Sequence, residues 1–264
     1  TSISLTLCLV FSTRNVSHCN LLLDDPSCPI SIGKSEALDS ETCQPFCQQG
    51  KILDRFNSSR SSVTDVHAVE FMRQKIDENP GEVNVIAIGP LTNIALLFQM
   101  YPWTIEKIKA LYLMGFKIDN SPEAMDKLDW NLLCDSFSAK QVLQSKLKRL
   151  VVIPCDTTYQ LSTSFSYFDE KCQCKEKQVL TAMLEVWLEK YEAFSYHDPL
   201  LCVALTRPDL FESVQGRFTY NPHGNPMLSM TTWEKDADGN CECIMAFNQA
   251  VFLEELYGVI NSSR

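Results

Sequence analysis

Short apolar runs alternate with amphipathic segments along most of the chain. The run Val83–Ile88 is rich in β-branched residues and predicts a strand that is buried on both faces. Gly89 breaks this strand, and Thr92 is placed to cap a helix that ends before Pro102. A buried strand that turns sharply into a helix is typical of an open α/β sheet, in which ligands bind beyond the carboxyl ends of the strands. The same pattern also fits a plain strand–turn–helix scaffold.

The remaining elements follow the same alternation. Further strands are predicted at Ile3–Phe11, Cys28–Ile32, Ala110–Met114 and Leu150–Pro154. Helices are predicted at Thr13–Leu23, Asp65–Ile76, Ile105–Lys109, Asp135–Leu147 and Lys177–Phe194, and polar loops at Gly33–Ser62 and Gly115–Leu128. Strand and helix alternate from Val83 to Leu205, which indicates βαβ units and a parallel sheet.

The pattern changes near the C-terminus. Gly216–Tyr220, Met227–Trp233 and Cys241–Phe247 predict antiparallel strands, with Asp238-Gly239 as a hairpin turn, and Gln249–Ile260 predicts a final helix. We therefore predict one α/β domain over residues 1–264. Its core is an open, mainly parallel Rossmann-like sheet flanked by helices, with antiparallel strands near the C-terminus.

The N-terminal apolar run, Ile3–Phe11, has two interpretations. It resembles the apolar part of a signal peptide, but a basic segment and a small-residue cleavage site are missing, which favours a buried strand. Because the sequence starts at Thr1 and enters this strand at once, we expect that the first β-unit of the fold is missing.

Composition excludes some classes of function. The net charge is −10, from 23 basic and 33 acidic residues, without a dense cluster of Lys and Arg. Binding to a phosphate backbone requires the opposite balance, so we expect no nucleic-acid partner. We also expect no membrane partner, because no apolar run reaches the length of a bilayer span.

The 12 cysteines leave the compartment open. The motifs Cys172-Gln173-Cys174 and Cys241-Glu242-Cys243 allow a four-thiolate zinc site, although their spacing is tighter than the usual CxxC. Disulfides in a secreted protein and reduced, buried thiols in a cytoplasmic one are the alternatives. Acceptor sequons for glycosylation begin at Asn15, Asn57 and Asn261.

Candidate chemistry lies where three predicted strands end. Ile88, Met114 and Pro154 close neighbouring strands, so their ends should meet at one edge of the sheet. Short polar side chains follow the second of these strands: Asp119, Asn120, Asp126, Asp129 and Asn131. Such side chains bind calcium or sugar hydroxyls, but they are also typical of a solvated loop.

The segment Tyr196-His197-Asp198-Pro199 is a second candidate. Asp198 followed by proline fits the N-cap of a helix, and this interpretation is favoured on the local sequence alone. In the alternative, Asp198 is a metal ligand or base and His197 is a proton donor near neutral pH.

Four motifs together resemble the nucleoside hydrolase family, the calcium-dependent N-ribohydrolases that prefer inosine and uridine. They are IGPLTNIALL at 88–97, YLMG at 112–115, LDWN at 128–131 and YHDPL at 196–200, in the order and at about the spacings of the family. The resemblance implies hydrolysis of the N-glycosidic bond of ribonucleosides to ribose and free base. It also implies a small-molecule nucleoside as partner and a homodimer or homotetramer.

The resemblance also implies roles for individual residues. Calcium would be bound by the backbone carbonyl of Ile88 and the carboxylate of Asp198. Asn120, Asp129 and Asn131 would bind the ribose hydroxyls. The imidazole of His197 would assist the departure of the base.

The sequence departs from the family pattern at the site. The DxDxGxDD cluster that opens the family, and that supplies the general base and most of the charge around calcium, is not found here. Phe116 replaces a glycine, so we expect a bulky ring beside the site, and Asp129 replaces a glutamate. The family's glycine-rich loop is replaced by CQPFCQQG at Cys43–Gly50. Calcium binding should therefore be weakened or lost, and the chain should be a poor catalyst or none.

Three interpretations remain at this point. The chain is a nucleoside hydrolase without its N-terminal strand, or a catalytically inactive relative that acts as a secreted binding or interaction protein. A zinc-binding structural protein is the third. Whether this chain is an enzyme stays open on the sequence alone.

Overall fold

The structure, a computed structural model, describes residues 9–11, 29–38, 64–119, 129–221 and 230–262, with residues 52, 55, 121 and 223. The predicted helix Thr13–Leu23, the loop segment Cys43–Gly50 and parts of the predicted segments Ile3–Phe11 and Gly115–Leu128 lie outside these residues.

The described elements alternate along the chain. The strands are β1 Leu9–Phe11, β2 Ile30–Ile32, β3 Asn84–Ala87, β4 Ala110–Met114, β5 Leu150–Ile153, β6 Ser162–Thr163, β7 Phe194–Ser195, β8 Phe211–Tyr220, β9 Thr231–Lys235 and β10 Cys241–Phe247. The helices are α1 Ala68–Glu78, α2 Thr92–Met100, α3 Thr104–Lys107, α4 Trp130–Cys134, α5 Ser136–Gln144, α6 Cys155–Thr158, α7 Phe165–Lys171, α8 Lys177–Leu188, α9 His197–Thr206 and α10 Gln249–Ser262.

A mainly parallel sheet forms the centre of the fold. Six strands lie in the order β3-β4-β5-β10-β8-β9, and the pairs β3–β4, β4–β5 and β5–β10 are parallel. The strands β8 and β9, near the C-terminus, add to this sheet as antiparallel neighbours. Two smaller sheets pair β1 with β2 in parallel and β6 with β7 antiparallel. The predicted fold class is confirmed.

The alternation of side chains along β4 divides the core into two layers. Leu111 and Leu113 face a cluster that includes α1, α2 and α5, whereas Tyr112 and Met114 face a cluster that includes α9 and α10. Because successive side chains of a strand point to opposite faces, helices on both sides can bury one strand completely.

Strand β3 corrects the expectation of a strand buried on both faces. In the part of the chain that the structure describes, it lies at the end of the six-stranded sheet; three of its four residues are only half-buried, and the following Ile88 is 38% exposed. Apolar periodicity indicates a strand but does not distinguish a central strand from an edge strand.

Two predicted helix starts are also different in the structure. The hydroxyl of Thr92 donates a hydrogen bond to Asp135 at 2.6 Å, so it does not cap α2. Helix α1 begins at Ala68, where the Nδ1 atom of His67 accepts a hydrogen bond from a backbone amide, rather than near Asp65. In both cases a side-chain contact that local sequence does not specify determines the end of the helix.

The predicted hairpin at Asp238-Gly239 is wrong. Strands β9 and β10 flank this turn in sequence, but β8 lies between them in the sheet and pairs with both. The turn therefore crosses β8 in its middle, at Gly216, which is opposite Lys235 of β9 and Cys241 of β10. A Cβ atom at Gly239 would overlap the backbone of Gly216, which explains why glycine is needed at this crossing.

Three short helices and one small strand pair were not expected from the sequence. They are α4, α6, α7 and the pair β6–β7, each too short to give a clear periodicity. No helix within the described residues combines the length and apolar character that a membrane span requires.

Candidate active site at the carboxyl edge of the sheet

The carboxyl ends of β3, β4 and β5 lie side by side, as predicted. These three strands are parallel neighbours, with Ala87 opposite Leu113 and Met114 opposite Ile153 in the register. The segments that follow them therefore leave the sheet at the same edge. This edge is the place where open α/β sheets bind their ligands.

The segment after β4 has an unusual backbone. Gly115 and Phe116 both have positive φ angles, of 153° and 68°. A non-glycine residue in this region carries a steric cost of about 1–2 kcal/mol, which glycine avoids. Phe116 stands where the family pattern has a second glycine, and its backbone conformation is one that favours glycine.

The ring of Phe116 does not stand beside the site, which corrects the expectation from the sequence. It is buried in the apolar cluster of α1, α2 and α5, with its centroid 5.1 Å from that of Phe218. Because the backbone turns into the left-handed region at this residue, the side chain points into the core rather than toward the edge of the sheet. Burial of the ring offsets the backbone strain.

Two carboxylates hold the same segment by its backbone amides. Asp129 accepts hydrogen bonds from the amides of Phe116 and Leu132, and the second of these bonds caps α4. Asp156, in α6 after β5, accepts hydrogen bonds from the amides of Ile118 and Asp119 at 2.8 and 2.9 Å. The segments after β4 and β5 are thereby fixed to each other.

Asp129 is 7% exposed. Burial raises the pKa of its carboxyl to about 6, against the opposing effect of the amides of Leu132 and Phe116 and of the charge of Lys117. Lys117 itself is fully buried, at 0% exposure. This lysine was not selected from the sequence. Its position between apolar residues, directly after a buried strand, could have indicated a buried cation.

Asn131 lies in α4, close to the end of β4. Its side-chain amide donates a hydrogen bond to the backbone oxygen of Met114 at 3.0 Å. Within the described part of the chain, the Oδ1 atom of Asn131 has no hydrogen-bond donor, so it is available to a ligand hydroxyl. Asn120, the other predicted ribose-binding amide, lies outside the described residues.

His197 begins helix α9 and is half-buried. Its Nδ1 atom lies 2.7 Å from the hydroxyl of Thr158, and its ring packs edge-on against Tyr159. The hydroxyl of Thr158 also lies 3.0 Å from the carbonyl oxygen of Cys155, and the tautomer of His197 decides which atom of the His197–Thr158 pair donates. In either tautomer Nε2 is left for a ligand. Burial lowers the pKa of the imidazole.

Asp198 is not the N-cap of helix α9, which corrects the favoured interpretation of this segment. The helix begins at His197, two residues before Pro199, Tyr196 occupies the N-cap position, and no side chain caps the helix. The carboxylate of Asp198 has neither a hydrogen bond nor an ion pair with any described residue. Burial raises its pKa to about 7.

The zinc interpretation finds no support. In the described ranges there is no group of three or more His, Cys, Asp or Glu side chains that could hold a metal ion. Cys241 donates to the backbone oxygen of Gly216, and Cys172 and Cys174 contact each other instead. The two Cys-X-Cys motifs do not combine into one site.

Comparisons with known proteins agree with this fold. Residues 9–254 match the family described as inosine-uridine preferring nucleoside hydrolase. The chain belongs to this family.

Among curated proteins, uridine nucleosidase 1 of Arabidopsis thaliana is 32% identical over 160 residues, which are 56% of this chain and 46% of that protein. The probable uridine nucleosidase 1 of Oryza sativa subsp. japonica is 25% identical over 232 residues, 78% of this chain and 68% of that protein. The chain spans about half to two thirds of the length of the curated relatives that it matches.

A solved plant nucleoside hydrolase has the same fold, with a TM-score of 0.80 at 19% sequence identity. The match covers 97% of this chain and 90% of that structure. At this identity the likeness concerns the fold alone.

Proposed function

We propose that this chain binds a ribonucleoside at the carboxyl edge of its sheet and hydrolyses the N-glycosidic bond, releasing ribose and the free base. The observation that carries the proposal is the carboxylate of Asp198, which has no partner among the described residues and lies next to His197 on a helix packed against β4. A partly buried carboxylate without a partner is costly to keep charged, and a bound cation or hydroxyl would offset that cost. The family of the chain supports this interpretation.

Asp198 and Ile88 would hold calcium. Carboxylate and carbonyl oxygens are the ligands that calcium prefers, and the carboxylate of Asp198 is available for one, so the two residues fit the ion in kind. They supply two oxygens where calcium takes about six to eight, so further ligands have to come from water, substrate or other residues. A bound divalent cation favours loss of a proton from water and so promotes attack on the sugar.

The chain's own polar groups orient the substrate. Asn131 offers its Oδ1 atom to a ribose hydroxyl while its amide group stays fixed to the backbone of β4. Asp129 holds the neighbouring backbone and reaches the ribose only through acceptor positions that its two amide bonds leave open. With Asn120, these residues form the proposed ribose site.

His197 serves the leaving base. The ring is fixed by Thr158 and Tyr159, which directs Nε2 rather than Nδ1 toward a ligand. In the tautomer with the proton on Nε2, the hydroxyl of Thr158 donates to Nδ1 and Nε2–H faces the ligand. A hydrogen bond from Nε2 to the departing nitrogen lowers the barrier to bond cleavage, because the transition state has positive charge on the sugar and negative charge on the base.

Domain organisation and assembly belong to the same proposal. We assign residues 1–264 to one domain, and we expect the homodimer or homotetramer that the family implies. Size-exclusion chromatography with light scattering measures the assembly directly.

The test is release of free ribose from inosine and from uridine with added calcium. We would assay this chain, the matched variant Asp198→Ala and the control Asp209→Ala at an exposed site. Ribose release that Asp198→Ala abolishes and Asp209→Ala preserves supports the proposal. Folded protein that releases no ribose contradicts it and favours an inactive relative that only binds.

Binding experiments test individual residues. Asn131→Ala should weaken ribose binding by about 1–3 kcal/mol, because a buried hydrogen bond is lost. Calorimetry with ribose measures this, and an unchanged affinity would remove Asn131 from the site.

Calorimetry with calcium should show no binding in Asp198→Ala, and unchanged calcium affinity would remove Asp198 as a ligand.

A further inference from the structure

The corner between α7 and α8 contains two thiols in contact. The Sγ atoms of Cys172 and Cys174 are 3.5 Å apart. Both side chains are buried, at 0% and 6% exposure, although Gln173 between them is exposed. The pair therefore lies directly beneath the protein surface.

The backbone around the pair is fixed by α10. The side chain of Asn261 accepts a hydrogen bond from the amide of Gln173 at 2.7 Å and donates one to the carbonyl of Lys171 at 2.9 Å. In addition, the amide of Cys172 donates to the carbonyl of Phe168, which closes the last turn of α7. These bonds hold the corner in the conformation that brings the two sulfurs together.

The surroundings of the pair favour sulfur chemistry over metal binding. A zinc site needs about four ligands, and no His, Asp or Glu side chain in the described residues joins the two thiols to form a group of three. A disulfide requires the sulfurs to approach from 3.5 Å to about 2.05 Å, a movement that side-chain rotation can largely supply.

We infer that Cys172 and Cys174 form a redox-active dithiol that closes to an intrachain disulfide by exchange with a low-molecular-weight disulfide such as oxidised glutathione. The thiolate of Cys174, the more exposed of the two, attacks one sulfur of the oxidant and releases one thiol. The thiolate of Cys172 then attacks the sulfur of Cys174, which breaks the mixed disulfide and releases the second thiol. The two protein thiols lose two electrons and two protons, and the oxidant gains them.

Closure should be slow at neutral pH. Burial and the neighbouring thiol raise the pKa of Cys174 to about 11, so little of it is thiolate. The experiment is therefore run to equilibrium. The readout is the state of the two sulfurs, so it is independent of the nucleosidase activity proposed above.

The test is peptide mapping after incubation of the folded, full chain in glutathione buffers of increasing oxidised fraction. Trypsin cleaves after Lys171 and Lys175, so both thiols lie in one short peptide. We expect this peptide to lose two hydrogen atoms as the oxidised fraction rises, and to regain them with dithiothreitol. Cys172→Ser should instead trap a glutathione adduct on Cys174.

A second reagent tests the pair in the unmodified chain, so the result does not depend on whether Cys172→Ser folds. One equivalent of phenylarsine oxide, which bridges two close thiols, should protect both cysteines of the unmodified chain from alkylation. The control Cys202→Ser, at an exposed thiol elsewhere, should change neither result. Two thiols that stay reduced in every glutathione buffer, or that pair with other cysteines, would overturn the inference.

Discussion

Two carboxylates at the same edge of the sheet, Asp129 and Asp198, differ in what surrounds them. Burial raises the pKa of both, to about 6 and about 7. Asp129 accepts hydrogen bonds from two backbone amides, whereas Asp198 has no partner among the described residues. The comparison separates a carboxylate that holds the backbone from one that we propose as a ligand-binding group.

The largest expected effect on stability comes from replacing Phe116, in the segment whose backbone Asp129 holds. Phe116→Ala removes a buried ring but keeps a positive φ, so we expect a loss of about 3–5 kcal/mol in the free energy of unfolding. Phe116→Gly removes the same ring and the backbone strain, so it should be more stable than the alanine variant by about 1 kcal/mol. Urea unfolding measures both, and an alanine variant that equals or exceeds the glycine variant would contradict this account of the strain.

Replacement of Asp129 should lower the free energy of unfolding by somewhat less. Asp129→Ala leaves the amides of Phe116 and Leu132 without an acceptor in a buried place, so we expect a loss of about 2–4 kcal/mol. Asp198→Ala is the matched control and should cost much less, because no hydrogen bond to a described residue is lost. Equal losses in the two variants would break the distinction between the two carboxylates.

The pH dependence of stability follows from the raised pKa of Asp129. Its pKa rises from an ordinary 3.8 to about 6 in the folded chain. The folded state therefore binds this proton more tightly than the unfolded state does, and the associated stability is present below pH 4 and is lost as the pH rises to about 6. Asp129→Asn should lack this decline in urea unfolding between pH 4 and 6. A decline that persists unchanged in the variant would assign it to another group.

Much of the fold could be predicted from periodicity. Strand β4 was predicted with its observed ends, because an apolar run of five residues is bounded by Lys109 and Gly115. The parallel sheet followed from alternating strands and helices. The order of β8, β9 and β10 could not be predicted, because nearness in sequence favours a hairpin while the sheet pairs β8 with both other strands.

The site was predictable only in part. The meeting of three strand ends followed from the topology, and His197, Asp198, Asp129 and Asn131 were selected by resemblance to the family. The position of Asp198 within its helix could not be read from the sequence, because Asp-Pro is a common cap, whereas the helix starts two residues before Pro199. The direction of the Phe116 ring depends on one backbone angle, which a residue pattern does not specify.

Asp198→Asn tests whether the second carboxylate, Asp198, is left for a calcium ion. Without calcium, we expect its stability to equal that of the unmodified chain or to exceed it by about 1 kcal/mol, because the variant removes a partly buried charge that no described residue pairs with. With calcium, the unmodified chain should gain thermal stability through binding, and the variant should not. Thermal unfolding at pH 8 measures both. A variant that calcium still stabilises to the same extent would show that the ion binds elsewhere.

The smallest expected effect concerns a carboxylate far from this edge of the sheet, which has side-chain partners instead of backbone ones. Glu70 in α1 forms an ion pair with Arg73 and accepts a hydrogen bond from Tyr101 at 3.0 Å. The hydrogen bond from Arg73 is the main cause that lowers the pKa of Glu70 to about 2. Because this pair is partly exposed, solvent and salt screen it and the stabilisation is small.

The sign of its pH dependence is opposite to that of Asp129. A lowered pKa contributes stability above the ordinary value of 4.5, and this stability is lost as the pH falls toward 2. Glu70→Gln should therefore be slightly less stable than the unmodified chain at pH 7 and should converge with it below pH 4. Urea unfolding across this range, repeated at high salt, measures the difference. A difference that grows on acidification would show that Glu70 is stabilised by its surroundings in the protonated form, as Asp129 is.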